Sequence, residues 1–136
     1  MKGTVRVFAV SAFVIIAPSL AARPGSICVS PVTDEIRAMD RGDPTGKRTT
    51  PYQYKFSVQI DSGKLVPVGA KDGVLIPQLD TKKRHLVRIR DGEQLIQSFY
   101  FTFKDRGASY LCLSYGPWYQ TWQLSPPGKR PWCRCK

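Results

Sequence analysis

Four cysteines are the residues of this chain best placed to do chemistry: Cys28, Cys112, Cys133 and Cys135. The last two form a Cys-x-Cys tail around Arg134. In a reducing compartment that spacing suits metal thiolates or thiol exchange; in an oxidising one it suits structural bridges. Four cysteines allow three pairings. A Cys133–Cys135 bond closes a tiny loop and strains the bridge. Each tail cysteine is therefore expected to reach back, with Cys112 taking Cys133 or Cys135 and Cys28 taking the other. Such staples contribute roughly 2–4 kcal/mol each.

Other reactive constellations are sparse. His85 is the only histidine, which excludes a two-histidine ribonuclease mechanism. On its strand it is expected to face the core as a packed, hydrogen-bonded group. No nucleophile motif flanks Ser98, Ser109 or Ser114. The ten acids fall mostly in turns, so no carboxylate pair for glycoside hydrolysis stands out. Asp40, Asp43, Asp61 and Asp80 read first as turn formers. There is no Gly-rich phosphate loop and no His/Glu metal motif. The expectation is a protein that is not an enzyme, with no cofactor and no metal site.

The C-terminal aromatics are the best candidates for binding. Trp118, Tyr119, Trp122 and Trp132 lie near Lys129, Arg130 and Arg134 in the chain. If a strand over residues 118–124 buries Trp118 and Trp122, Tyr119 points outward. Exposed aromatics beside cations suit stacking on sugars or bases with phosphate or carboxylate groups close by.

The compartment follows from the N-terminus. Lys2 and Arg6 precede an apolar run over residues 7–17, and Ser19 and Ala21 fit the positions before a cleavage site. Residues 1–21 are expected to be an export signal, and the run is short for a span of about 20 residues. The protein is then secreted or periplasmic, its cysteines oxidised, with no transmembrane segment after cleavage. The chain carries 21 Lys+Arg and 10 Asp+Glu, a net charge of +11. Loss of Lys2 and Arg6 leaves 19 basic against 10 acidic residues, a net charge of +9. Such a surface attracts polyanions. Anionic glycans, lipid headgroups or a protein partner are the expected ligands, with no specific recognition of nucleic acid.

These residues must be held by a scaffold, and the patterning says which. Residues 22–52 are rich in Pro, Gly, Asp and Arg and read as an irregular arm pinned by Cys28. Thr33 can cap a short helix there, with Asp34 and Glu35 in its first turn. Period-two alternation begins with Tyr54, Phe56, Val58 and Ile60. Further strands are predicted at 65–68, 74–76, 85–90, 93–103, 109–115 and 118–124. Pro67 places the second at a sheet edge. At Asp91-Gly92 a two-residue turn or a three-residue loop is possible. The longer loop sets Ile89 opposite Glu93, Val87 opposite Leu95 and His85 opposite Gln97. It puts Val87, Ile89, Leu95, Phe99, Phe101 and Phe103 on one side. Because a one-residue slip turns a strand over, that choice is preferred. About seven short strands make a small antiparallel Ig-like β-sandwich, all-β, over 53–124, with a Pro/Cys-rich tail over 125–136.

The segments VQIDSGKLVPV (58–68) and IPQLDTKKRHLVRIRDGE (76–93) carry a resemblance. Pro77 bounds a segment that leads to the strand His85-x-Val87-x-Ile89 before Gly92. This resembles the PEGA-like or carboxypeptidase-regulatory-like modules of exported bacterial proteins, which are Ig-like or transthyretin-like sandwiches. The resemblance implies a non-catalytic envelope or surface module. It is silent on residues 110–124 and on the tail. The function expected is thus an exported interaction module. A small secreted enzyme or toxin acting on an anionic polymer, and a structural subunit of an envelope assembly, are the alternatives.

Overall fold

The computed structural model describes residues 24–39, 54–128, 133 and 135. The expected leader (1–21), residues 40–53, and Lys129, Arg130, Trp132 and Arg134 lie outside the described residues. The elements run β1 (Gly25–Val29), α1 (Asp34–Met39), β2 (Phe56–Ile60), β3 (Val66–Pro67), β4 (Val74–Leu79), β5 (His85–Asp91), β6 (Gln94–Phe101), α2 (Phe103–Arg106), β7 (Tyr110–Gly116) and β8 (Thr121–Ser125). The strands form two four-stranded sheets, ordered β4-β1-β7-β8 and β3-β2-β5-β6. The all-β sandwich is as predicted, with eight strands.

Alternation sets the core. In β2, Phe56, Val58 and Ile60 are buried while Ser57 and Gln59 are half-buried. In β5, Val87 and Ile89 point inward with His85, and Arg88 and Arg90 lie on the other face. These meet Ile27, Val29, Leu111, Leu113, Trp122 and Leu124 from the opposing sheet. Pro67 does sit on a short edge strand, pairing with Ser57.

The N-terminal stretch differs from expectation. It contains β1, a central strand antiparallel to β4 and parallel to β7. The sandwich therefore starts at Gly25, not near residue 53. The reason is burial on both faces. Ile27 and Val29 face the core, while Cys28 lies in a separate cluster with Cys112 and Cys133. A strand covered on both sides shows a continuous apolar run and no alternation. Gly25 is needed for closeness, since a Cβ there would stand 2.5 Å from the Phe103 ring. The short helix α1 is capped as predicted, with the Ile36 amide donating to Thr33 Oγ1 at 3.3 Å.

The β5–β6 hairpin is a correction. Asp91 pairs with Gln94 around a Gly92-Glu93 turn, and Gly92 has φ 61°. A bulge at Ile96 then shifts the register, setting Ile89 opposite Gln97 and Val87 opposite Phe99. Phe99 and Phe101 keep their expected side, but Leu95 opposes Arg90 and is exposed. The bulge achieves what loop length was expected to achieve: Gln97 stays on the inner side, and Leu95 alone leaves it. The predicted turn after β6 is a helical turn, α2. Its first amides are capped by Thr102 Oγ1, 3.0 Å from Asp105 N, and Gly107 closes it at φ 76°.

Two polar side chains seal the exposed edge of β8. Gln97 receives the Trp122 amide at 2.8 Å and donates to the Trp122 carbonyl at 2.9 Å. Arg106 donates to the Leu124 carbonyl at 2.9 Å. Strand groups that could recruit another chain are thereby occupied.

Both staples form. Cys28 bonds Cys135 with Cα atoms 5.7 Å apart, and Cys112 bonds Cys133 at 6.0 Å. Cys28 and Cys112 are register partners across the parallel β1–β7 pair. Two cysteines side by side on one sheet face thus meet two cysteines spaced i, i+2 in the tail.

Candidate functional site: an aromatic turn beside a cleft

Strand β7 ends at Gly116, which pairs with Thr121 across a four-residue turn. Pro117 lacks an amide hydrogen, and Gln120 takes φ 52°, so strand geometry does not extend back through Trp118. The predicted strand over 118–124 is therefore shortened to β8. Trp118 is lifted from the sheet and 53% exposed, and Tyr119 is 82% exposed. Tyr119 points outward, and Trp118, a binding candidate whose burial depended on a strand reaching residue 118, is exposed with it.

Trp122 is the reverse case. Placed among the binding residues by sequence, it is only 2% exposed and belongs to the core. Its ring meets Phe56 edge-on at 5.3 Å and Tyr115 at 5.6 Å. It supports the turn from below and presents nothing to a ligand. Its indole N–H is buried without an acceptor. Of the seven predicted binding residues, Trp118 and Tyr119 come together at one surface. Trp132, Lys129, Arg130 and Arg134 lie outside the described residues.

The turn borders a cleft of about 1090 Å³. Its apolar wall is built by Ile36 and Met39 of α1 with Tyr115, Pro117, Trp118 and Tyr119. Glu35, Lys71 and Asp72 supply charge of both signs. Tyr115 is fixed from behind by its hydroxyl, which donates to the Tyr54 hydroxyl at 3.2 Å. Sequence reasoning missed the α1 side of this cleft. Thr33 and Ile36 signalled a helix, but nothing local tells a helix which turn it will face.

His85 is a fastener between two turns. It is 3% exposed and stacks on Phe101 at 5.4 Å. Nδ1 lies 2.6 Å from Asp61 Oδ2, and Nε2 lies 2.6 Å from the Asp80 carbonyl. Asp61 also accepts the Leu86 amide at 2.8 Å. Burial pushes the Asp61 carboxyl upward. The hydrogen bonds from His85 and Leu86, with the fields of His85 and Lys83, outweigh that and hold it below its ordinary value. With both ring nitrogens engaged, His85 is tied into the scaffold in the manner of a packed strand histidine.

Among the described residues no cluster of His, Cys, Asp and Glu could hold a metal ion, and no helix is long and apolar enough to cross a membrane. No protein-family model matches the chain, nor does any curated protein or solved structure.

Proposed function

We propose that this protein is an exported, non-enzymatic interaction module, secreted or periplasmic, whose partner docks at the Trp118–Tyr119 turn. The partner is an anionic envelope component or a protein. The observation that carries this reading is the pair of large aromatic side chains held in the open at the rim of a cleft. Aromatics on a rigid turn offer contact area at low entropic cost, which suits recognition. The two disulfides support an oxidising compartment. The stacked pair of four-stranded sheets supports the likeness to PEGA-like and carboxypeptidase-regulatory-like sandwiches.

The test uses the oxidised protein as bait on envelope or surface extracts, beside a Trp118→Ala/Tyr119→Ala variant. Both side chains are exposed, so the variant's thermal midpoint should stay within a few degrees of the parent. Partners retained by the parent should be lost from the variant. An unchanged set of partners refutes the assignment of the turn.

A further inference from the structure

The outer face of the β3-β2-β5-β6 sheet carries a second surface, separate from the cleft. Alternation in β5 buries Val87 and Ile89 and turns Arg88 and Arg90 to the other side. Residues two apart on a strand stand about 7 Å apart. Three of their four cross-strand neighbours are polar, and the fourth is an exposed leucine. Arg88 lies between Gln59 and Ser98, and Arg90 between Ser57 and Leu95. One position further, Leu86 pairs with Tyr100, and Arg84 sits over the Tyr100 ring at 4.1 Å.

Charge is the informative property of this face. Among the described residues the ion pairs are Arg37–Asp34 and His85–Asp61, so Arg84, Arg88 and Arg90 have no carboxylate partner. Arg90 reaches only a backbone acceptor, the Glu93 carbonyl at 3.4 Å. Like charges on one face repel, and an anion relieves the repulsion.

We infer that this face binds an anionic polysaccharide. Guanidinium forks match carboxylate and sulfate groups with paired hydrogen bonds. The interleaved Ser57, Gln59 and Ser98 offer donors and acceptors to sugar hydroxyls. A pleated face accommodates an extended chain. Single-stranded nucleic acid is less well served, because base stacking needs open aromatic platforms and Arg84 covers one side of Tyr100.

Immobilised heparin, a sulfated uronate polymer, is the probe. The parent should bind at low salt and elute as salt rises. Arg88→Ala/Arg90→Ala should weaken binding by about tenfold or more, through loss of two paired anion contacts. Lys104→Glu, on exposed α2, lowers net charge by the same amount and should weaken it by less than about threefold. Trp118→Ala/Tyr119→Ala should bind heparin like the parent, so failure of the cleft reading and failure of this one are separable. Thermal midpoints of all variants confirm folding. Equal losses in the arginine and Lys104→Glu variants would show bulk charge alone and overturn the assignment. So would absence of heparin binding at low salt, or tighter binding to anionic phospholipid vesicles or single-stranded DNA than to heparin.

Discussion

The two disulfides should differ in what they contribute, and the difference can be worked from chain connectivity. Cys28–Cys135 spans 107 residues of sequence and Cys112–Cys133 spans 21. A bridge restricts the unfolded chain by an entropy that grows with the logarithm of the loop. For the two spans the loop-entropy relation gives about 4.8 and about 3.3 kcal/mol at 25 °C. Each replacement leaves one bridge alone in the chain, so the full spans are the ones compared. The perturbation is pairwise replacement, Cys28→Ala/Cys135→Ala against Cys112→Ala/Cys133→Ala. Alanine is preferred to serine because Cys28 and Cys112 are fully buried beneath the tail, where an unpartnered hydroxyl is costly. Strand β1 stays paired with β4 and β7 in either variant, so the native sandwich should persist. The assay is urea unfolding followed by fluorescence of the buried Trp122. The long-bridge variant should be the less stable by roughly 1.5 kcal/mol, slightly more than a tenfold change in equilibrium constant. It should also show the larger m-value, because its unfolded chain is the less restricted. Equal stabilities, or a short-bridge variant that is the weaker, would refute the reasoning and place the contribution in native packing of the tail.

Three further outcomes follow from the scaffold. Gln97→Ala removes both bonds to the Trp122 backbone; it should lower stability by about 1–3 kcal/mol, read by thermal melting. It should also open the β8 edge, visible as self-association in size-exclusion chromatography. Asp61 has a folded pKa below its unfolded value of about 3.9. Its contribution is therefore present above that pH and is lost as pH falls through the folded value. The parent's melting temperature should drop on acidification below about pH 4, and Asp61→Asn should show a shallower drop from a lower starting point. Gly25→Ala drives a methyl group into the Phe103 ring; a loss of about 1–3 kcal/mol is expected in urea unfolding, and no change would mean the ring moves aside freely.

Much of the sandwich was legible because half-buried strands advertise themselves. The alternation at Phe56, Val58 and Ile60 and at Val87 and Ile89 survived intact into the core. The cap at Thr33 and the edge position of Pro67 were also readable, since both rest on local chemistry. β1 was not readable. It is covered on both faces, by the core and by the cysteine cluster, so no alternation marks it. The β5–β6 register was misread for a related reason. Loop length and a bulge each turn Phe99 and Phe101 inward, so the apolar face does not select between them; they differ at Leu95, which the bulge leaves exposed.

The candidate site divides in the same way. Trp118, Tyr119 and Trp122 were singled out together by composition, yet one turn separates their fates. Pro117 and the left-handed Gln120 lift Trp118 and Tyr119 into the open, while Trp122 resumes the strand and fills the core. Arg88 and Arg90 alternate with the inward Val87 and Ile89, but their partners Ser57, Gln59 and Ser98 come from other strands.

By itself the sequence determined the kinds of structure this chain could form: strands where apolar residues alternate, a short capped helix, and cysteines that reach back from the tail. Each depends on neighbours a few residues apart or on the count of groups available. The tertiary structure alone decided which of the two bridge pairings forms, that β1 lies at the centre of a sheet, and which aromatics reach solvent. Those outcomes depend on contacts between segments far apart in the chain, such as Cys28 with Cys135 or β1 with β7. Their energies exist only once the sheets are packed.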